Sequence, residues 1–248
     1  MMKNEIPIGK NRTGVEMSPK HKRELEEGAE GTIPSTEGNG HRIAEIRAAY
    51  AEQAEPVGSL PPPASLKGAA AALGKRLKGE HMSVFLDKLG ERLAFERTGT
   101  RLYDALLTKL AASEASAEGP TAEDLGKIRA QELAHFEMLR DAIEELGADP
   151  TAVTPSADVA GVSAMGILQV VDDPRMTIDQ TLEAILIAEM ADNGGWSLLV
   201  QLARAMGQDE LARRFEGALH EEEEHLAKVK HWVERATLRK AGAEAASA

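Results

Sequence analysis

Six residues able to bind metal ions recur at matched places in the chain: Glu96, the pair Glu132-Leu-Ala-His135, Glu189, and the pair Glu222-Glu-Glu-His225. Within each Glu-x-x-His, the i, i+3 spacing sets both side chains on one face of a helix, roughly 5–6 Å apart between Cβ atoms. The order Glu, Glu-x-x-His, Glu, Glu-x-x-His, one element per helix, is the arrangement of bundles in which carboxylates bridge two metal ions. The chain has no cysteine. Disulfides, thiolate zinc sites, cysteine-held iron–sulfur clusters and a cysteine nucleophile are therefore excluded. Carboxylate oxygen with imidazole nitrogen suits iron or manganese.

The elements that must position these groups follow from apolar spacing. From residue 82 onward four segments step by three and four residues between apolar positions, the period of a bundle helix. The first, roughly 82–112, aligns Leu86, Leu89, Leu93, Glu96, Thr100, Tyr103, Leu107 and Leu110. The second, roughly 121–147, aligns Leu125, Ile128, Glu132, His135, Leu139, Ala142 and Leu146. The third, roughly 176–206, aligns Ile178, Leu182, Ile185, Glu189, Asp192, Trp196, Leu199 and Ala203. The fourth, roughly 208–238, aligns Leu211, Phe215, Ala218, Glu222, His225, Val229 and Trp232. All six candidate ligands thus fall on seams that should be apolar. Four carboxylates in a bundle interior are prohibitively costly unless cations pair with them. Taken singly, each has a plainer reading as a side chain reaching for solvent, and the run Glu221–Glu224 reads equally as a solvated face. Glu222 is preferred there for its phase with Phe215, Val229 and Trp232.

Breaks in the pattern agree. Glu118-Gly-Pro-Thr121 separates the first two helices, Thr177 is a candidate N-cap, and Gly147 and Gly207 mark helix ends. Short links inside each pair predict two antiparallel hairpins. The link between the pairs, about 148–175, exceeds the ~2–8 residues usual in bundles and is long enough to run the bundle's length. Its apolar stretch Val162–Val171 predicts a short helix packed on the outside. Residues 1–80 are rich in Gly, Pro, Ser and charge and read as a mostly irregular extension. Short helices are expected there over His41–Glu55, with Ile43, Ile46 and Tyr50 on one face, and over Ala69–Lys78. A stiff proline-rich linker is expected at Gly58–Ala64. Gly194-Gly195, inside the third helix, predicts either a π-bulge or close helix packing. His220 and His231 fall off the fourth seam.

The formal charge of −12 falls almost wholly after residue 80, which argues against a nucleic-acid partner. No apolar run reaches the ~20 residues of a membrane span, and the N-terminus lacks a secretory leader's apolar stretch. A cytoplasmic protein with no membrane partner is expected.

On Glu96-Arg-Thr-Gly99, Gln131-Glu-Leu-Ala-His135, Ala188-Glu-Met-Ala-Asp192 and Glu222-Glu-Glu-His225, residues 82–238 resemble the ferritin-like superfamily of di-iron or di-manganese four-helix bundles. Within it the chain is similar to bacterial ferritin-like domain proteins with a variable N-terminal extension. The resemblance implies an all-α fold, with a ferritin-like four-helix bundle over 81–240, the irregular extension over 1–80 and a tail over 241–248. It also implies two Fe ions, with Mn as the alternative metal. Glu132 and Glu222 would bridge, Glu96 and His135 would complete one metal's shell, and Glu189 and His225 the other's. Tyr103 matches a tyrosine found near ferritin di-iron sites, and reads equally as an ordinary core residue. Asp192 matches an extra rubrerythrin carboxylate, and otherwise reads as a polar cap near Trp196 or a solvent channel. Gln131 stands where relatives often carry an acid that orients an imidazole, which puts that orientation in doubt. The absence of cysteine excludes a complete rubrerythrin.

The activity expected is that of a di-iron oxidoreductase of ferroxidase or peroxidase type, with Fe(II), O2 and H2O2 as candidate substrates and a homodimer or larger homo-oligomer as the assembly. The alternatives are an iron-storage cage subunit, a manganese catalase, and a non-catalytic metal-binding scaffold of a stress response.

Overall fold

The computed structural model describes Glu27, Glu30 and residues 40–55, 57–60, 81–113 and 119–243. Among the described residues there are six α-helices and no strand. None of these helices is long and apolar enough to cross a membrane. The chain divides into two units, Met1–Glu55 and Pro56–Ala248.

In the first unit, α1 (Gly40–Gln53) forms where a helix was expected, and Ile43, Ile46 and Tyr50 are all exposed. The helix expected over Ala69–Lys78 lies outside the described residues.

The second unit holds α2 (His81–Ala111), α3 (Ala122–Glu145), α4 (Pro155–Asp172), α5 (Ile178–Ala205) and α6 (Asp209–Lys240). The helix starts follow side-chain chemistry. Thr121 accepts from the Asp124 amide, Thr154 from that of Ala157, and Thr177 with Gln180 forms a capping box. The ends follow glycine: Gly147 and Gly207 close α3 and α5 at φ 78° and 65°, a region costly for residues with a Cβ.

Two apolar clusters fix the direction of each long helix. One gathers Phe85 and Leu89 from the start of α2, Leu139 and Ile143 from the end of α3, Leu199 and Ala203 from the end of α5, and Leu211 and Phe215 from the start of α6. The other gathers Leu102 and Leu106, Leu125 and Ile128, Leu182 and Ile185, and Val229 and Trp232. Hence α2 and α6 run one way and α3 and α5 the other. The chain must therefore travel the bundle's length between α3 and α5. The 18-residue α4, roughly 27 Å long at 1.5 Å per residue, does this against α2 and α5.

This crossover helix differs from expectation. It starts at Pro155, well before Val162, and buries its small residues Ala157 and Ala164 along with Val171, while Val162 and Met165 face outward. Small residues let α4 approach α2 closely. Its N-terminus is pinned to α2: Ser156 donates to Asp87 through its amide and hydroxyl at 2.9 and 2.6 Å, and the Thr154 hydroxyl donates to the Asp87 carbonyl at 3.1 Å. Gly90 makes the room, since a Cβ there would lie 2.7 Å from Thr154 Oγ1. Thr154→Ala should therefore lower stability by about 1–2 kcal/mol, the scale of a lost N-cap, measured by urea unfolding.

The first seam is also rotated slightly from expectation. Phe85, Leu102 and Leu106 are fully buried, whereas Leu86, Leu107 and Leu110 are only partly so. A helix contacting α3, α4 and α5 buries a wider stripe than one seam.

Candidate metal centre

Between the two apolar clusters lies a polar layer, one step along each long helix. Glu96 on α2, Glu132 and His135 on α3, Glu189 on α5, and Glu222 and His225 on α6 are all no more than 3% exposed. Each sits where its seam placed it, because the same 3.6-residue period that buries the flanking leucines buries the acid between them.

Glu222 is at the centre. Its Oε1 lies 2.8 Å from His135 Nδ1 and its Oε2 lies 3.2 Å from His225 Nδ1. Glu96 Oε2 is 3.6 Å from the same nitrogen of His135, and Glu132 Oε1 is 3.6 Å from that of His225. Two sets of donor atoms, Glu96–His135–Glu222 and Glu132–Glu222–His225, each lie within 4.8 Å of one another and share Glu222. A third such set joins Glu96, Glu132, Asp192 and Glu222. Glu189 belongs to none of the three. Its Oε1 accepts from the Tyr103 hydroxyl and its Oε2 has no partner.

Electrostatics follow from burial. Desolvation, reinforced by the neighbouring carboxylates, holds Glu132 and Glu189 well above the usual carboxylate range. Glu222 goes the other way. Burial would raise it, but the close approach of His135 and the hydrogen bond and attraction of His225 outweigh that and pull it down to about 2. Burial would likewise lower His135, yet Glu222 and Glu96 lift it to about 10. Tyr103 is driven well above its ordinary value by burial and by Glu189, so it remains a proton donor.

Asp192 is buried and in contact with Arg92 of α2, which donates to its side chain and, at 2.9 Å, to its backbone carbonyl. Desolvation and the Glu96 charge still raise Asp192, against the lowering by Arg92. Arg92 is itself only 4% exposed and stacks on Phe95, 4.3 Å from the ring centroid. This contact explains the glycine pair in α5. The helix is regular there, with no π-bulge. A Cβ on Gly195 would lie 2.7 Å from the Arg92 guanidinium carbon, whereas one on Gly194 would meet nothing. Close packing of a guanidinium is the reason for Gly195, and none is visible for Gly194. Glycine has the same role at Gly99, where a Cβ would lie 2.8 Å from Glu132 Cδ. The carboxylate is the far end of a flexible side chain and can swing aside. Gly99→Ala should therefore retain helicity and gain intrinsic helix propensity of about 1 kcal/mol, while weakening metal retention through Glu132. Circular dichroism with metal content after dialysis checks both halves.

The donor set fits a pair of divalent ions. Both Glu96 oxygens, Glu132 Oε2, Glu189 Oε2, Glu222 Oε1 and His135 Nδ1 are buried without a hydrogen-bond partner. Buried polar atoms are almost always satisfied, and leaving several unpaired in one place is expensive. Glu222 Oε1 and His135 Nδ1 are 2.8 Å apart yet make no hydrogen bond. The buried acids are Glu96, Glu132, Glu189, Asp192 and Glu222. With all five ionised and Arg92 offsetting one charge, two divalent cations would neutralise the remainder.

No protein-family model, no curated protein and no solved structure matches this chain, so the assignment of the site stands on its geometry.

Sequence reasoning missed Arg92 and the role of Gly99, and it left the orienting of an imidazole by Gln131 in doubt. Arg92 sits four residues before Glu96, and a cation in phase with a seam was the available signal. Gly99 was visible as a mid-helix glycine one turn beyond Glu96. Gln131 does hold an imidazole: His225 Nε2 donates to its Oε1 at 3.0 Å. Glu221, half-exposed, accepts from His135 Nε2 at 2.8 Å. Trp196 packs edge-on against His135, ring centroids 5.4 Å apart. His220 and His231 are exposed, as expected from their phase.

Proposed function

We propose that the chain is a carboxylate-bridged dinuclear metalloprotein of the ferritin-like kind, holding two iron ions and acting in Fe(II) oxidation or in the reduction of O2 or peroxide. The observation that supports this most is the sharing of Glu222 between two carboxylate–imidazole sets, Glu96–His135 on one side and Glu132–His225 on the other. One bridging carboxylate between two imidazole-bearing sites is what a two-metal centre needs and what an isolated buried ion pair does not. Oxygen donors with two imidazoles and no thiolate favour iron or manganese.

When bound, such a pair of ions supplies a Lewis-acidic, redox-active centre to which O2 or peroxide can bind. The chain's own residues do the rest. Glu222 holds negative charge between the two imidazoles, and Glu132 sets a second carboxyl against His225. Tyr103 keeps a proton on its hydroxyl and gives a hydrogen bond to Glu189 Oε1, leaving the other oxygen of Glu189 without a hydrogen-bond partner. Arg92 neutralises Asp192 and orients it. The apolar clusters on either side exclude bulk water, which strengthens every charge interaction inside.

The test is anaerobic loading with Fe(II), then rapid mixing with O2 or with H2O2 while absorbance is followed. Fe(II) oxidation faster than in buffer with at least one oxidant is the expected result. No acceleration by either overturns the redox reading. Rapid H2O2 disproportionation only with manganese bound would reassign the activity to a catalase.

A further inference from the structure

The residues just before the two metal-site glutamates, Gln131 and Glu221, each reach across to the other helix's histidine. Gln131 Oε1 accepts from His225 Nε2 at 3.0 Å, and Glu221 Oε2 accepts from His135 Nε2 at 2.8 Å. This crossed pair of contacts, His225–Gln131 and His135–Glu221, ties α3 to α6 behind the site. It fixes both imidazoles the same way round, Nε2–H outward and Nδ1 toward the carboxylates.

The two imidazoles are held alike but not backed alike. His135 donates to an anion, which makes a shorter and stronger bond and a more electron-rich ring. His225 donates to a neutral amide. Nδ1 of His135 is accordingly the better metal donor. We infer that the two metal positions are unequal and fill in order: the Glu96–His135–Glu222 position first, the Glu132–Glu222–His225 position second, with Gln131 and Glu221 as the positioning residues that set the order. This rests on the dinuclear reading above and adds to it a sequence of loading.

The experiment is titration of the metal-free full chain with cobalt(II), followed by calorimetry and by the visible absorption of the bound ion. Wild type should show two steps at least about 10-fold apart. Glu221→Gln should weaken the first step by about 10- to 100-fold, the range for loss of a partner behind a metal ligand, and leave the second little changed, so that the steps merge. Gln131→Glu should strengthen the second step. A purely structural role for the pair would weaken both steps together in either variant and alter the melting temperature of the metal-free protein. Two equal steps in wild type, or equal weakening of both by Glu221→Gln, overturns the loading order and leaves the dinuclear reading standing. Failure to bind cobalt at all overturns both.

Discussion

Glu222→Gln should cut the divalent-metal content of the purified protein from two ions per chain to fewer than one, the largest effect of any single substitution at the site. Its carboxylate is the one group placed against both imidazoles, one oxygen to each, so its loss removes a donor from both positions at once. Loss of a residue that merely backs a ligand costs 10- to 100-fold in affinity, and removal of a shared ligand should exceed that at both positions. Glutamine keeps the volume and the packing but offers a neutral amide. The metal-free variant also loses one of the charge partners of His135, whose proton is then held less tightly. Because that histidine can shed its proton, the variant escapes most of the 3–5 kcal/mol that an uncompensated buried charge would cost. Glu189→Gln is the control. Glu189 touches Tyr103 and belongs to none of the three donor sets, so it should cost no more than one ion. Equilibrium dialysis against Mn(II) or anaerobic Fe(II), read by mass spectrometry, separates the two variants. If Glu222→Gln keeps both ions at wild-type affinity, the shared-carboxylate geometry is not a metal site.

The seams of α3 and α6 were legible almost residue by residue because each of these helices buries a narrow stripe, and α5 buries its whole seam from Leu182 to Ala203 although Thr181, Ala184, Ala188 and Val200 are buried beside it. Polar residues inside such stripes are conspicuous against Leu, Ile and Val. Glu132, His135, Glu189, Asp192, Glu222 and His225 were found that way, and the structure buries every one. Helix α2 was read less well because α3, α4 and α5 all lean on it. Its buried face is broad enough to take in Phe85, Arg92, Leu102 and Leu106, beyond a single seam. Arg92 was missed for a further reason: a guanidinium enters an interior only where something makes space for it and something charged faces it, and those are Gly195 and Asp192, 100 residues away. Such a pairing has no local signature. The crossed contacts of Gln131 and Glu221 were hidden similarly. Each is adjacent in sequence to a ligand on its own helix, yet its contact is with the histidine of the other, so only the packing of α3 on α6 reveals it.

Stability of the metal-free protein should fall as pH rises from about 5 to about 10, and saturating divalent metal should reverse that trend. The sign follows from the shifted groups. Glu132, Glu189 and Asp192 are raised by burial and mutual repulsion, so above the ordinary carboxylate range the folded chain holds protons that the unfolded chain has released. His135, lifted to about 10 by Glu222 and Glu96 against its burial, extends the same imbalance: its stabilising proton is held fully below the ordinary imidazole range of about 6.5 and lost as pH climbs through its folded value. Where the folded state binds more protons, stability declines with pH. Glu222, drawn down to about 2, acts oppositely but only at the acid end, contributing above about 4.3 and losing its effect as pH falls toward 2. Metal ions take the places of these protons. Each proton displaced adds about 1.4 kcal/mol of metal-linked stability per pH unit until that group is ionised. At 1,000 times the dissociation constant each ion contributes about 4 kcal/mol, and two ions should raise the melting temperature of a chain this size by on the order of 20 °C. Calorimetric scans at pH 5.5, 7 and 8.5, with chelator and with Mn(II), measure the gap directly. It should widen at each step, and calorimetric titrations in buffers of different ionisation enthalpy should show protons released on binding. A gap that stays constant with pH would mean that the buried carboxylates are not where the metal goes.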